Sequence, residues 1–114
     1  MLTKANKRKQ DVVSNLRGGK GDVAREHLVL PEESCGKFKM CSIMTLQPGD
    51  SIGQHAHDVD AEFCYLMDGE LTILDGGEMK TIQPGDAWYC GGGAEHMTVN
   101  NSDKPAVFMA IIVE

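Results

Sequence analysis

The chain has 114 residues, enough for one compact core and too few for two, and 41% of them are apolar, as in ordinary globular domains. Its net charge of -6 conceals a basic first segment: residues 1–20 carry six lysines and arginines against Asp11 alone, whereas the remainder carries 16 acids against 5 bases. So acidic a body repels phosphate backbones, which argues against nucleic acid as a partner, and no stretch approaches the roughly 20 apolar residues of a membrane-spanning helix.

Residues 1–20 are predicted to form a basic N-terminal arm that is either loose or adds a strand to a partner's sheet, ahead of a single domain over residues 21–114. The arm lacks the apolar run of a secretory signal, so we expect a cytoplasmic protein. No two of the four cysteines form a CxxC pair, and free thiols are expected.

From residue 21 onward, short apolar runs alternate with turn residues, a pattern that predicts an all-β domain. Nine strands are predicted, over residues 23–30, 37–47, 51–57, 62–67, 70–75, 79–83, 87–90, 96–100 and 106–114. The sequence Gln-Pro-Gly-Asp occurs at 47–50 and again at 83–86, and each copy predicts a tight turn. So many short strands in one small domain favour a sandwich or a barrel, because their edges must be covered.

Three of the four histidines follow a spacing that suits one metal ion. His55 and His57 share a face of a predicted strand, with Cα atoms about 6 to 7 Å apart. Glu62 follows at an odd interval, so residues 58–61 are predicted to turn the chain onto a neighbouring strand that brings Glu62 back inward. His96 begins another predicted strand after three glycines. Four ligands would then surround one point.

Three imidazoles and one carboxylate suit a single divalent transition metal ion, such as iron, manganese, nickel, zinc or copper. The predicted metal ligands are His55, His57, Glu62 and His96. In an octahedral ion they leave about two open positions, which is typical of a catalytic site rather than a closed structural one. Two alternatives remain: a chance HxH pair on a solvent-facing strand, and histidines that serve only as satisfied polar groups in a barrel.

The sequence resembles the cupin superfamily, and in particular its small single-domain (type-2) members. Residues 49–69 fit the first cupin motif at each defined position, and residues 85–100 fit the second at Gly85, Gly93, His96 and Asn100. Gly91 departs from the second motif, because it stands at the usual proline position and frees a backbone angle that proline would hold. The resemblance covers residues 49–100 by motif and roughly 37–113 by strand pattern.

This resemblance implies a jelly-roll barrel, also called a double-stranded β-helix, with a metal inside its open end. Carried over residue by residue, it implies the same ligands, His55, His57, Glu62 and His96. It implies a corner-shaping role for Gly49, Gly69, Gly85 and Asn100. Family members commonly pair, and a barrel this small gains from burying an outer sheet face, so a homodimer is expected.

Cupins act as dioxygenases, decarboxylases, isomerases and lyases, so the fold does not choose a reaction. The first hypothesis is a metal-dependent enzyme acting on a small oxygen-rich metabolite, with Glu62 as a candidate catalytic base if its carboxylate leaves the metal. The alternative is a non-enzymatic module that binds or senses a small metal-chelating molecule. Either way, a small-molecule ligand is the expected partner.

The positions of several other residues in the predicted strands and turns indicate where their side chains lie. Alternation predicts a pocket lining of Cys64, Leu66, Thr98 and Asn100. A further apolar wall could come from Phe38, Met40, Met44, Trp88, Met97 and Met109, and anion binding from Lys37, Lys39 and Arg25. His27 is expected at a surface or interface, and Asp58 and Asp60 in a solvated turn.

Overall fold

A computed structural model describes residues 1–114 and contains ten β-strands and three short 3₁₀ helices, with no α-helix. The strands are β1 (Lys9–Ser14), β2 (Asp22–His27), β3 (Phe38–Leu46), β4 (Ser51–Ala56), β5 (Ala61–Asp68), β6 (Leu71–Asp75), β7 (Glu78–Ile82), β8 (Ala87–Cys90), β9 (Glu95–Val99) and β10 (Ala106–Val113). The 3₁₀ helices are Ala5–Lys7, Leu16–Gly18 and Pro31–Ser34. No helix is long and apolar enough to cross a membrane.

The strands pair antiparallel throughout and form two sheets. One sheet has the order β1-β2-β3-β10-β5-β8, and the other has the order β4-β9-β6-β7. No strand of one sheet pairs with a strand of the other, so the jelly roll is an open two-sheet sandwich rather than one closed sheet. The all-β prediction is confirmed, and the nine predicted strands correspond to β2 to β10.

Alternation along the strands directs one row of side chains into the space between the sheets. In β5, Glu62, Cys64 and Leu66 are buried, whereas the intervening residues are exposed. The largest fully buried apolar side chains are Phe108, Leu46, Leu66, Leu71 and Val23. They come from both sheets, so the apolar core lies between them and leaves one end of the sandwich for polar inward residues.

The two Gln-Pro-Gly-Asp segments form matching turns, as predicted. The Asp50 amide donates to the Gln47 carbonyl at 3.0 Å, and the Asp86 amide donates to the Gln83 carbonyl at the same distance. Each turn has its glycine in the left-handed region, with φ of +85° at Gly49 and +96° at Gly85. A proline followed by such a glycine is the pattern of a type II turn. These corners return the chain into the sandwich.

The N-terminal segment differs from the expected arm. Residues 9–14 form β1, which pairs along its whole length with β2 of the same chain, in a register that runs from Lys9 opposite His27 to Ser14 opposite Asp22. Asp11 lies opposite Arg25 and binds its guanidinium, which compensates the local excess of positive charge. Residues 9–14 are therefore not loose but form an edge strand of the chain's own sheet. Pairing with a partner's sheet and a domain boundary at residue 20 stay predictions.

Candidate metal centre

The four predicted ligands lie together at one end of the sandwich. The Nε2 atom of His96 is 2.9 Å from Nε2 of His55, 3.1 Å from Nε2 of His57 and 3.1 Å from Oε1 of Glu62. The possible donor atoms of all four residues lie within 4.8 Å of one another. His57, Glu62 and His96 are buried, and His55 is partly buried. We call these four residues the His/Glu centre.

Both sheets contribute to the His/Glu centre. His55 and His96 are register partners on β4 and β9 of the four-stranded sheet, and the register shifts between Ile52 and His55. Ile52 and His55 are three residues apart, so only such an irregularity lets both side chains face the interior. Gly53 lies within this bulge. The metal-compatible cluster therefore depends on a local distortion of β4 that the HxH spacing alone does not reveal.

Glu62 reaches the centre from the opposite sheet. Residues 58–61 bring Glu62 back inward as predicted. The prediction that they lead to a neighbouring strand is wrong, because β4 and β5 belong to different sheets. The odd spacing between His57 and Glu62 reflects a crossing from one sheet to the other. His57 follows the end of β4. Its amide donates to the Ala94 carbonyl at 3.1 Å and its carbonyl accepts from the Gly93 amide at 2.9 Å, so its backbone is bound to the loop before β9.

The hydrogen bonds at Nδ1 determine which histidine nitrogens can bind an ion. His55 Nδ1 lies 2.8 Å from the Gly53 carbonyl oxygen, and His57 Nδ1 lies 2.6 Å from Asp60 Oδ1. Both oxygens accept only, so each Nδ1 carries the proton, and a ring with no second proton presents its lone pair at Nε2. Burial lowers the pKa of His55, which favours the neutral ring.

Converging lone pairs repel one another unless a cation or a proton lies among them. Two Nε2 lone pairs and the Glu62 carboxylate oxygen surround His96 Nε2, while His96 Nδ1 is buried with no partner. Three nitrogens and one oxygen are a donor set that divalent transition metals accept. The chemistry of the site therefore fits such a metal, and the cluster is compatible with one.

Asp60 accepts a hydrogen bond from His57 Nδ1 and so orients the ring, a role that its position in a turn did not indicate. Its side chain is only 9% exposed and accepts hydrogen bonds from His57 Nδ1 and Lys39 Nζ, the second at 2.9 Å. These bonds, that from Lys39 first, lower the pKa of Asp60. The expected solvated turn is correct for Asp58, which is exposed, and wrong for Asp60. Lys39 precedes Asp60 by 21 residues, so no local pattern links them.

The loop before His96 is held despite the glycine at position 91. The Ala94 amide donates to the Gly91 carbonyl at 3.2 Å, and the Cys90 thiol donates to the Ala94 carbonyl at 3.2 Å. A side chain at Gly91 would lie 2.8 Å from the Tyr89 hydroxyl and 3.0 Å from Ala61 Cβ. The missing proline therefore coincides with close packing at this position.

The His/Glu centre lies in the wall of a cavity of about 170 Å³. Besides the centre, the lining consists of Leu16, Arg17, Arg25, Met40, Met44, Ile52, Cys64, Thr98, Phe108 and Ile112. Of the predicted lining residues, Cys64, Thr98, Met40 and Met44 are present, whereas Leu66 and Asn100 lie elsewhere. Burial raises the pKa of the Cys64 thiol well above its usual range, which favours the neutral thiol in this lining.

Asn100 has the structural role that its motif position implies. It is fully buried, and its side-chain amide donates to the carbonyls of Leu46 and Lys104 at 2.9 and 2.7 Å. Its Oδ1 accepts from both the backbone and the hydroxyl of Ser102. All polar atoms of this side chain are thereby paired within one corner of the sandwich.

A two-sheet jelly roll with three histidines and one glutamate converging at one end defines a cupin. The family model described as "Cupin domain" matches residues 42–112, and the chain belongs to this family. Among curated proteins, the chain is 32% identical to the "Oxalate-binding protein" of Thermotoga maritima, over 99% of this chain and 93% of that protein.

Solved structures show the same relationship. The crystal structure of a "predicted oxalate decarboxylase" from Thermotoga maritima superposes with a TM-score of 0.93 at 32% identity, covering 99% of this chain and 98% of that one. A sugar phosphate isomerase from Silicibacter pomeroyi matches with a TM-score of 0.67 at 26% identity, over 79% of this chain and 59% of that one. The polyketide cyclase RemF from Streptomyces resistomycificus, at 18% identity, shares the fold, with a TM-score of 0.79 over 99% of this chain and 79% of that one.

Proposed function

We propose that the protein binds one divalent transition metal ion at the His/Glu centre and, through it, a small carboxylate such as oxalate. The observation that carries this proposal is the convergence of three ring nitrogens and one carboxylate oxygen in the wall of a cavity between the sheets. A metal held there supplies a Lewis-acidic centre with open positions for the oxygens of a chelating ligand. The donor set, which is compatible with a divalent metal, supports this proposal.

The chain's own residues would bind and orient the ligand. Apolar side chains from both sheets narrow the cavity and exclude bulk water, which strengthens electrostatic contacts inside it. The lining includes two arginines, Arg17 and Arg25, of which Arg25 is paired with Asp11, so Arg17 would supply positive charge to a ligand anion. The cavity volume of about 170 Å³ suits a ligand of a few heavy atoms. The 32% identity to an oxalate-binding protein over nearly the whole chain supports this ligand class.

Catalytic turnover is the second candidate function, and Glu62 is the observation that favours it. Glu62 is the only carboxylate in the cavity lining, and its side chain is 11% exposed. A buried carboxylate in a cleft can accept a proton from a ligand and return it, the role of a general base. Decarboxylation, isomerisation, lyase and dioxygenase chemistry all remain within this candidate.

Metal loading followed by parallel binding and turnover assays distinguishes these possibilities. The protein is stripped with a chelator and reloaded separately with iron, manganese, nickel, zinc and copper, and oxalate binding is measured by calorimetry for each form. We expect binding in at least one loaded form and none in the stripped form. Consumption of oxalate by a loaded form, absent in Glu62→Gln, would establish the enzyme. Equal oxalate binding by stripped and loaded protein would contradict the metal-dependent site.

We also propose that two copies pair through the outer face of the six-stranded sheet. Phe63, Tyr65 and Met67 alternate along β5 on that face, are 39%, 41% and 47% exposed, and lie beside Tyr89, which is 64% exposed. Such a row of apolar side chains is commonly covered by a partner. Light scattering should give a dimer mass that Tyr65→Asp reduces to a monomer mass. The control Met79→Asp, on the other sheet, should leave the dimer intact, and a monomeric wild type would contradict the pairing.

A further inference from the structure

Part of the basic N-terminal segment lies over the cavity. Residues 15–21, here called the strap, connect β1 to β2, and Leu16 and Arg17 of the strap line the cavity together with the His/Glu centre. Leu16 also packs against the buried core. The strap lies outside the part of the chain that the family model matches. It adds one apolar and one cationic side chain to the pocket.

The strap and β4 lie so close together that Gly19 and Gly53 leave no room for a side chain between them. A Cβ added at Gly53 would overlap the Arg17 carbonyl oxygen, and a Cβ added at Gly19 would overlap the Ser51 carbonyl oxygen. The Ser51 amide donates to the Lys20 carbonyl at 2.9 Å, and the Lys20 amide donates to the Ser51 hydroxyl at 2.9 Å. Gly53 also lies in the bulge that directs His55 inward. The strap and the His/Glu centre are therefore positioned by the same stretch of β4.

Arg17 is held in an unfavourable backbone conformation. Its φ is +56°, in the left-handed region that side-chain-bearing residues seldom adopt, and Asn15 two residues earlier has φ of +52°. Asn15 compensates locally, because its side-chain amide donates to the Gly19 carbonyl at 3.1 Å. Arg17 forms no comparable side-chain bond. Strain of this kind persists where the surrounding structure enforces it, and it is concentrated at ligand sites.

The two arginines of the cavity differ in how their charge is compensated. Arg25 makes a double hydrogen bond to Asp11, with Nε to Oδ1 at 2.7 Å and Nη2 to Oδ2 at 2.9 Å. Arg17 is exposed and has no carboxylate within 4.0 Å. Its guanidinium therefore remains free to pair with an anion that enters the cavity.

We propose that Arg17 is a specificity-determining residue that pairs with a carboxylate oxygen of a small dianion held at the His/Glu centre. This inference rests on the proposed function and adds to it that the pocket selects doubly charged ligands over singly charged ones of the same shape. The basic character of the first 20 residues thereby acquires a role in an otherwise acidic chain: the N-terminal segment completes the binding site with a positive charge.

The test compares oxalate with oxamate, in which an amide replaces one carboxylate of the same planar shape. Affinities for both are measured by calorimetry on protein loaded with Mn²⁺ or Zn²⁺, for the wild type, Arg17→Gln and Arg17→Lys. Lys20→Gln is the matched control, since it removes one exposed positive charge from the same strap without touching the cavity lining. Thermal unfolding and elemental analysis verify that each variant is folded and holds metal.

We expect Arg17→Gln to weaken oxalate binding about tenfold, the loss of one charge-assisted hydrogen bond, and oxamate binding less than about twofold. Arg17→Lys should retain part of the preference for oxalate, and Lys20→Gln should retain all of it. An unchanged oxalate-to-oxamate ratio in Arg17→Gln would overturn the role of Arg17 while leaving the proposed function intact. Failure of the loaded wild type to bind either compound would overturn both.

Discussion

The chain contains two clusters of histidine and carboxylate side chains, and they differ in how their polar atoms are paired. In the first, the His/Glu centre, the possible donor atoms of three histidines and one glutamate lie within 4.8 Å of one another. In the second, here called the His27 cluster, His27 joins Asp11, Arg25 and Ser42. Both contain buried or partly buried groups. Each contributes to a cavity, and Arg25, Met40 and Ile112 line both cavities.

Every bond of the His27 cluster has a donor and an acceptor. His27 Nε2 donates to Asp11 Oδ2 at 2.9 Å, and the Ser42 hydroxyl donates to His27 Nδ1 at 2.9 Å. His27 is partly buried rather than freely exposed, since its side chain is 11% exposed, and an interface position for it stays a prediction. This cluster is a completed network that holds β1 to β2. In the His/Glu centre, by contrast, three ring nitrogens crowd around one carboxylate oxygen and His96 Nδ1 is buried without a partner, so its polar atoms are not matched one to one. This difference is what we expect between a ligand site and a structural network.

The largest expected effect is the loss of bound metal when histidines of the His/Glu centre are removed. It tests directly whether this centre, and not the His27 cluster, binds metal. The double variant His55→Ala with His57→Ala should lose nearly all bound metal, from about one ion per chain, because two of four donors are gone. His27→Ala should keep the wild-type metal content. Elemental analysis of dialysed protein measures both. Full metal content in the double variant, with only its stability changed, would show that these histidines are structural.

Asp60 provides the next largest expected effect. The Asp60 carboxylate orients the His57 ring and makes its Nε2 more basic, and Asp60→Ala removes both effects. Such hydrogen-bond partners of metal ligands typically contribute 10- to 100-fold to metal affinity. We expect a weakening of about that size in chelator competition at fixed pH. Asp58→Ala, in the same turn but exposed, should change the affinity little. Equal losses in the two variants would mean that the turn as a whole, rather than the bond to His57, determines affinity.

His55, His57 and Glu62 could be predicted because metal ligands are chemically distinctive and these three lie within eight residues, and His96 could be predicted because its strand start follows three glycines in a recognisable motif. The alternation of β5 and the start of β9 at His96 also follow from local pattern. The bulge at Gly53 and the crossing between sheets after His57 could not be predicted, because both depend on contacts with the strap and with loop 91–94.

The N-terminal strand was missed for a related reason. Lys9, Gln10 and Asp11 suggest a solvated segment by composition, and only pairing with β2 shows that Asp11 lies opposite Arg25. Arg17 likewise has no sequence signal, since its place at the cavity follows from a strap folded back onto β4. Long-range pairing of charged residues is invisible to local periodicity, so the position of Arg17 in the pocket lining emerges only from the fold.

Loss of the His27 side chain should reduce stability rather than function. His27→Ala leaves Asp11 Oδ2 without its second donor and the Ser42 hydroxyl, which is fully buried, without its acceptor. We expect the free energy of unfolding to fall by about 2 kcal/mol, as measured by urea denaturation. In metal-free protein, the control His55→Ala should change the free energy of unfolding by about 0.5 kcal/mol or less, because it removes one of the ring nitrogens that crowd the His/Glu centre. A larger loss in His55→Ala would reverse the assignment of the two clusters.

The smallest expected effect is the pH dependence of the His27 cluster. The hydrogen bond from Arg25, and then that from His27, lowers the pKa of Asp11 from 3.8 to about 2. A carboxyl with a lowered pKa stabilises the fold fully above its unfolded pKa and loses that contribution as pH falls through its folded one. Asp11→Asn should therefore be less stable than the wild type at pH 6, and the difference should shrink between about pH 4 and pH 2.

Solvent limits the size of this difference. The Asp11 side chain is 37% exposed, so water and salt screen its ion pair, and we expect roughly 1 kcal/mol at pH 6, less than the full shift implies. Asp75→Asn is the matched control, because Asp75 also binds a cation at 2.9 Å, but both its side chain and that of Lys80 are about half exposed. Urea unfolding of the control should match the wild type at each pH. An Asp11→Asn difference that stayed constant down to pH 2 would mean that Asp11 acts through packing and hydrogen-bond geometry, and that the completed network of the His27 cluster does not depend on charge.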